Sequence, residues 1–400
     1  MRVFRNIFSP EEIENAKNYK YNGQDDSIFA KLFLRKYWDF LITFFPMTMA
    51  PNLITLIGFL FEVVSFLLSF IFSAGLQKPI PGWLCIFNGI SLHVYQTLDN
   101  LDGRQARRTG SSSPLGQFFD HGCDAITGVL ELLKVAMSFN MGNTTETFYF
   151  VFGMSVGFFL TSWEEYITHG FYLGPINGPD EGLVLLAIAQ VASGLFPSIR
   201  PVARGTICKV LFSLGMIGTI GPIFVNVIKQ SLGDPEKLKK AGISIIPSII
   251  SISLFMFSAF SETNPISSPY FTMGSGLVLQ FQSQMTIVAY LTLRQPSKLF
   301  TSTLAGIWLF SLMPVLITSL NVGNLYWGIF SFGILAVMVH FDLGVIFGLS
   351  RGLGIPVLTL KEKEENNNLE IVPEDLHEEE ETAPKEVPMN IFQDAKEEEV

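Results

Sequence analysis

Residues 99–124 read DNLDGRQARRTGSSSPLGQFFDHGCD, with apolar runs pressing on both sides. Four aspartates, three arginines and a histidine therefore stand at the edge of lipid. Asp99 and Asp102 are three residues apart at the end of one apolar run, and Asp120 and Asp124 are four apart at the start of the next. On helices, each spacing puts both carboxylates on one face. The polar loop TGSSSP between them is short, so the two helices run antiparallel and the two pairs meet. Four carboxylates in a low dielectric repel, and charges at membrane depth cost several kcal/mol each. Bound cations or protonation relieve that repulsion. An all-oxygen ligand set suits Mg²⁺ or Mn²⁺ rather than zinc. Such ions take phosphate oxygens as further ligands, and Arg104, Arg107 and Arg108 lie one turn away as phosphate partners. Gly103, Ala106 and Gly116 are small enough for a ligand to approach the helix backbones. Any one of these aspartates also reads as an interfacial charge in an ordinary salt bridge; four at these spacings read as a site.

The surrounding chain is that of a polytopic membrane protein. Of 400 residues, 48% are hydrophobic and 16% charged, and mean hydropathy is +0.38, too apolar for an ordinary soluble protein. A span needs about 20 mostly apolar residues. Ten candidates follow, at 53–74, 83–103, 117–138, 147–163, 183–197, 209–228, 243–260, 271–292, 302–320 and 325–349. The fifth is short enough to be tilted or broken. An even number of spans returns both termini to one side, and the Lys/Arg excess of residues 1–51 and of the loops on that side makes it the cytosol. Arg200, Arg204 and Lys209 in the loop at 197–209 run against this assignment, whereas the glycosylation sequon at Asn143 falls in a predicted lumenal loop. Residues 30–46 (AKLFLRKYWDFLITFFP) mix charged and aromatic residues as a helix lying in the interface does. The net charge of −10 arises from residues 361–400, which hold 15 acidic and four basic residues and are expected to be disordered. The polar start has no apolar core of a cleaved signal peptide, so the first span is expected to act as an uncleaved one. Cys85, Cys123 and Cys208 lie far apart, which argues against a disulfide framework or a zinc site.

The expected fold is all-α, with about ten transmembrane helices. Residues 1–50 form a cytosolic segment with the interfacial helix, 51–230 a six-helix catalytic core, 231–350 four further membrane helices and 351–400 the acidic tail.

The stretch matches D-x2-D-G-x2-A-R-x8-G-x3-D-x3-D at Asp99, Asp102, Gly103, Ala106, Arg107, Gly116, Asp120 and Asp124. In this it resembles the CDP-alcohol phosphotransferases. YKYNGQDDS at 19–27, Tyr37-Trp38, APNLIT at 50–55, DHGCD at 120–124, WEEY at 163–166 and GPDEG at 178–182 are similar to the eukaryotic choline and ethanolamine phosphotransferases. The resemblance covers residues 15–350, strongly in the first half. One departure is the glutamine-bearing run 282–286, where related enzymes often carry a basic residue. The resemblance implies a six-helix core with two metal ions, transfer of the phosphoalcohol of CDP-choline or CDP-ethanolamine to diacylglycerol, and CMP as leaving group. It also implies an endoplasmic reticulum membrane, with the Golgi as alternative, a site open to the cytosol, a homodimer and no nucleic-acid partner.

By the resemblance, Asp99, Asp102, Asp120 and Asp124 hold two Mg²⁺ or Mn²⁺ ions, Arg107 holds a phosphate oxygen, and Asn52 and Thr55 belong to the nucleotide-binding region. The base is Asp124 or His121. A metal-bound carboxylate is a weak base, while a histidine titrates near neutrality. A quaternary ammonium favours aromatic faces beside a carboxylate, so Trp163, Glu164, Glu165, Tyr166 and Glu181 are candidates for the alcohol end. Asp342, inside the tenth span, is costly and so a candidate for function or for the lipid cavity. Two other readings remain: a CDP-alcohol phosphotransferase using inositol, serine or glycerol phosphate, and an ion-coupled transporter. Transporters place such charges near the midplane on broken helices, whereas these cluster at one interface.

Overall fold

The computed structural model describes residues 7–316 and 323–361, and residues 1–361 fall in one compact unit. The acidic tail beyond 361 and the end of the ninth predicted span lie outside the described residues. The chain forms α1 (Pro10–Lys17), α2 (Arg35–Leu41), α3 (Pro51–Phe72), α4 (Gly82–Thr109), α5 (Pro114–Ser138), α6 (Thr145–Thr168), α7 (Leu183–Leu195), α8 (Thr206–Ser231), α9 (Pro235–Ala259), α10 (Pro269–Leu291), α11 (Ser302–Leu316) and α12 (Asn324–Leu353). The helices α3 to α12 coincide with the ten predicted spans. Of these α3, α8, α9 and α12 are long and apolar enough to cross a membrane on hydropathy alone, and α7 and α11 are shorter. This is an integral membrane protein.

Local chemistry fixes the hairpin that matters most. Helix α4 ends at Gly110, whose φ of +66° is the left-handed cap that glycine adopts without strain. Three residues later Ser113 caps α5 by accepting the Gly116 N–H at 3.1 Å, and Pro114 takes the first helical position. The turn is thus as short as the loop composition predicts. At the far end α4 meets α7 backbone to backbone. A Cβ on Gly89 would lie 2.4 Å from the Ala187 carbonyl oxygen, so only glycine permits this approach.

Helix α10 is buried along nearly its whole length and packs on α5, α6, α9 and α12. The C-terminal half of the chain therefore supplies a central helix as well as peripheral ones. The predicted interfacial helix is present as a helical run from Ala30 to Phe44. Its face of Ala30, Leu34, Trp38 and Ile42 packs on Ile54 and Leu101, while Leu32, Phe33, Phe40 and Phe44 are exposed.

Helix α5 carries a polar stripe through the membrane: Asp120, Asp124, Thr127, Glu131, Lys134 and Ser138 recur at helical spacing. At its far half Lys134 lies 2.5 Å from Glu62 of α3 and 2.7 Å from Glu131, and none of the three side chains is exposed by more than 1%. The outer carboxylate oxygens accept from Ser91 and Gln190, each at 2.6 Å. Sequence reading passed over this triad. In the loop at 197–209, Arg200 donates to the carbonyls of Ser193 and Ile80, and Lys209 pairs with Glu146 at 3.3 Å. Asn143 is partly buried and its amide donates to the Gly75 carbonyl at 3.1 Å.

Removing one member of a buried charge cluster strands the others, at about 3–5 kcal/mol. Lys134→Ala is expected to lower thermal and denaturant stability in detergent by that order. Adding Glu62→Gln and Glu131→Gln to Lys134→Met should recover most of the loss.

Candidate active site

The four aspartates converge. Asp99, Asp120 and Asp124 each offer a carboxylate oxygen within 4.8 Å of the others. Asp102 is buried one turn along α4 and accepts a short hydrogen bond from the Thr55 hydroxyl. The Asp124 Oδ1 accepts one from the hydroxyl of Tyr95, one turn before Asp99 on the same face of α4. Asp99 Oδ1 and Asp120 Oδ1 are buried with no hydrogen-bond partner among the described residues. Buried carboxylate oxygens without a donor are costly, and hard divalent cations take such oxygen-only sets. The cluster therefore fits a divalent metal ion. The spacing rule found the four acids; Tyr95 was legible by the same rule, as residue i−4 from Asp99.

The predicted arginines divide. Arg104 pairs with Asp39 and lies 5.5 Å over the Trp38 ring, and Arg108 donates to the Ile42 carbonyl and to Gln105. These two pin the interfacial helix to α4 and are not free for phosphate. Arg107 has no hydrogen-bond or ion-pair partner among the described residues. A Cβ on Gly103 would meet only its guanidinium, at 3.6 Å, so this flank of α4 is open. Gly116 is similarly open, with only Asn52 Oδ1 and Ser113 Oγ 3.6 Å from a Cβ there. Ala106 is half-buried on α4. Asn52 donates to the Val357 carbonyl at 2.8 Å. Together with Thr55 it borders the aspartates while its amide is engaged in the fold.

His121 comes within 3.9 Å of Asp124 through Nδ1, and its Nε2 meets the Gln117 amide. The two candidate bases are thus neighbours, although they stand on different faces of α5 relative to Asp120.

The run WEEY scatters, because successive helical residues point about 100° apart. Trp163 donates to the Ala241 carbonyl and Ser244 on α9. Glu164 accepts from Asn226 on α8 at 2.8 Å. Tyr166 donates to the Arg294 carbonyl, with Lys240 3.8 Å over its ring. Of the four, Glu165 alone turns to the site. It is buried, within electrostatic reach of His121 and of Tyr19, Tyr21 and Tyr290. Glu181 is placed differently from the expectation. Its Oε1 accepts from the Ser27 hydroxyl at 2.6 Å and the Phe29 N–H at 3.0 Å, and its Oε2 from the Asn177 N–H at 2.9 Å. This latch, with the parallel pairing of Gly23–Asp25 on Phe171–Leu173, ties the N-terminal segment across the site. Burial pushes the Glu181 carboxyl up, but these donors outweigh it and hold it below its ordinary value. A separate groove of about 510 Å³ between α6, α8 and α9 is lined by Phe159, Leu160, Phe224 and Ile245 and bears no such chemistry.

Residues 48–176 match the CDP-alcohol phosphatidyltransferase family. The chain is 31% identical over 377 residues to choline/ethanolaminephosphotransferase 1 of Arabidopsis thaliana, covering 86% of this chain and 96% of that one. It is 38% identical over 190 residues to choline/ethanolaminephosphotransferase 1 of Saccharomyces cerevisiae, covering 47% and 49%. With an uncharacterized CDP-alcohol phosphatidyltransferase class-I family protein 3 of Dictyostelium discoideum, 46% of 191 residues are identical, and that alignment spans 48% of each chain. The chain belongs to the CDP-alcohol phosphatidyltransferase family.

Asp180, in the turn before α7, has its carboxyl pushed up to about 6, chiefly by burial, with Asp25 and Glu181 adding to the effect. Its pKa in the fold lies above the unfolded value, so its ionisation opposes folding. Stability is expected to fall as pH rises from the ordinary carboxylate range through about 6 and then level off. Asp180→Asn should flatten that portion of a plot of unfolding temperature against pH.

Proposed function

We propose that this protein transfers phosphocholine or phosphoethanolamine from the CDP-alcohol to diacylglycerol, giving phosphatidylcholine or phosphatidylethanolamine and CMP. The observation that carries the reading is the convergence of Asp99, Asp120 and Asp124, at the family spacing, into one oxygen-lined site, with Asp102 buried one turn along α4. The alignment along nearly the full length of an Arabidopsis choline/ethanolaminephosphotransferase supports the choice of substrates.

In this reaction the acceptor's hydroxyl oxygen bonds to the phosphorus that carries the alcohol. The bond from that phosphorus to the bridging oxygen breaks, its electron pair leaves with CMP, and the hydroxyl proton passes to a base. In our reading Asp99, Asp120 and Asp124, with Asp102 behind them, hold two Mg²⁺ or Mn²⁺ ions. Bound there, the ions neutralise phosphate charge. Thr55 and Tyr95 fix the rotamers of Asp102 and Asp124 by donating to them. Arg107, without a hydrogen-bond or ion-pair partner among the described residues, meets a phosphate oxygen. The proton passes to Asp124 or to His121, which stand 3.9 Å apart. Asn52, Gly103, Ala106 and Gly116 border the nucleotide. Glu165 and the surrounding tyrosines receive the alcohol's ammonium end; Glu181, already saturated with donors, serves the fold. The interfacial position lets a soluble nucleotide and a diglyceride meet, with water excluded from the activated phosphate. The reading includes the endoplasmic reticulum or Golgi membrane with the site facing the cytosol, on the Lys/Arg asymmetry of the loops, and a homodimer.

Purified protein given CDP-choline or CDP-ethanolamine, diacylglycerol and either metal should release CMP and form the matching phospholipid. Chelation or Asp102→Ala should abolish both. A protein that retains lipid synthesis with alanine at 102, or that moves ions without releasing CMP, does not fit the proposal.

Loss of one partner of a buried charge pair costs about 2–5 kcal/mol. Glu165→Gln is therefore expected to raise KM for the CDP-alcohols by about 10-fold or more with a smaller change in kcat, and Glu181→Gln to leave those KM values unchanged. Equal KM values for Glu165→Gln and wild type would remove Glu165 from the head-group site.

A further inference from the structure

Asp342 lies in the middle of α12, where a carboxylate is expensive, and no step above uses it. Its Oδ2 accepts from the Gln284 amide nitrogen of α10 at 3.0 Å. The same nitrogen donates at 3.3 Å to the carbonyl of Gly122 on α5. Gln284 is fully buried. Three helices thus meet at one amide, and the place where it touches α5 is the peptide midway between Asp120 and Asp124.

Position 122 is about 200° around the helix from both 120 and 124. Gln284 therefore presses on the back of α5, opposite the carboxylates. A helical carbonyl has a second lone pair beyond its own backbone bond, so Gly122 accepts this donor without breaking the helix. The amide must present its NH₂ here, because both neighbours are acceptors. Turned over, its oxygen would face the Gly122 oxygen. Asp342 removes that alternative: a carboxylate acceptor on the other side holds the NH₂ in place. Aromatic contacts close the flanks, with Phe341 at 6.4 Å from Phe118 and 5.4 Å from Phe281 between ring centroids.

The arrangement is a poor stability device. Asp342 Oδ1 and Gln284 Oε1 are buried with no partner among the described residues, and a pair of leucines would fill the space without that cost. We infer that Asp342 and Gln284 are positioning residues for the metal site, setting the rotation and depth of α5 so that Asp120 and Asp124 point at Asp99. This rests on the metal-binding reading of the aspartates.

The test uses full-length protein in detergent, stripped with a chelator and titrated with Mn²⁺ alone, with free Mn²⁺ read by electron paramagnetic resonance. The unfolding temperature without metal is measured in parallel. Outer groups that orient metal ligands typically affect affinity 10- to 100-fold, so Gln284→Leu is expected to weaken Mn²⁺ binding by about 10-fold. Asp342→Asn should weaken it by less, since an amide still accepts but no longer fixes the orientation. Gln282 bonds to Ser248, Ser251 and the Pro247 carbonyl on α9, away from α5. Gln282→Leu should lower the unfolding temperature and leave Mn²⁺ binding unchanged. If Gln284→Leu, or Asp342→Asn should the former not fold, loses stability but keeps wild-type Mn²⁺ affinity, the pair is packing and the inference is overturned. If wild-type protein itself takes up no Mn²⁺, the metal reading falls and takes this one with it.

Discussion

Like-charge repulsion at a membrane edge is the constraint on which this architecture depends. Three carboxylates have oxygens within 4.8 Å of one another, and at an effective dielectric of about 20 each such pair of full charges opposes the fold by roughly 3–4 kcal/mol. Nothing in the hydrophobic packing of α4 against α5 offsets that directly. The chain instead restrains each end of the problem. The turn at Gly110 and Ser113 fixes the hairpin. The Thr55 and Tyr95 hydroxyls each occupy a carboxylate oxygen. In the proposed reading a divalent cation would complete the neutralisation, which would link fold and metal thermodynamically.

The same helix solves the same problem in a second way. Along the stripe of α5, the far half holds Glu62 and Glu131 around a permanent cation, Lys134. There the neutralising charge is covalent and cannot exchange. At the site end the charge must come from outside, with phosphate as its natural companion. One half is a structural lock between α3 and α5, and the other a place for reversible binding.

The legible and illegible parts of the sequence divide on the same physical line. Ten spans could be read because apolar run length is a local property, and the aspartates because three- and four-residue spacings lie within one helix. The interfacial helix was legible from its mixed aromatic and charged composition. What escaped required knowing which helices pack together. Glu62 and Lys134 are 72 positions apart in sequence, and nothing marks them as partners until α3 lies on α5. WEEY looked like one recognition surface, but its residues serve α8, α9 and the site separately. Arg104 and Arg108 looked like phosphate ligands beside Arg107 and are instead fasteners for the interfacial helix. Glu181 read as a candidate for the alcohol end, and its oxygens accept from Ser27, Phe29 and Asn177. The central burial of α10 was hidden for a related reason: its glutamines, serines and threonines lower its hydropathy while marking it as a helix surrounded by protein rather than lipid.

These local roles combine into one requirement for handling immiscible substrates. The site must open to water for a nucleotide and to lipid for a diglyceride, yet exclude water once both are bound. Helices alone leave the water-facing end uncovered. The N-terminal segment covers it through contacts that each demand a specific partner: Arg294 on Glu12 at 2.7 Å, Tyr19 edge-on to Tyr290, strand pairing at Gly23–Asp25, and Ser27 on Glu181. These polar and edge contacts sit between two apolar anchors, Phe8 and Ala16 in the main core and Leu34 and Trp38 against Ile54 and Leu101. A cover anchored in this way keeps water from the site, while the buried Lys134 cluster and α10 hold the carboxylates in register.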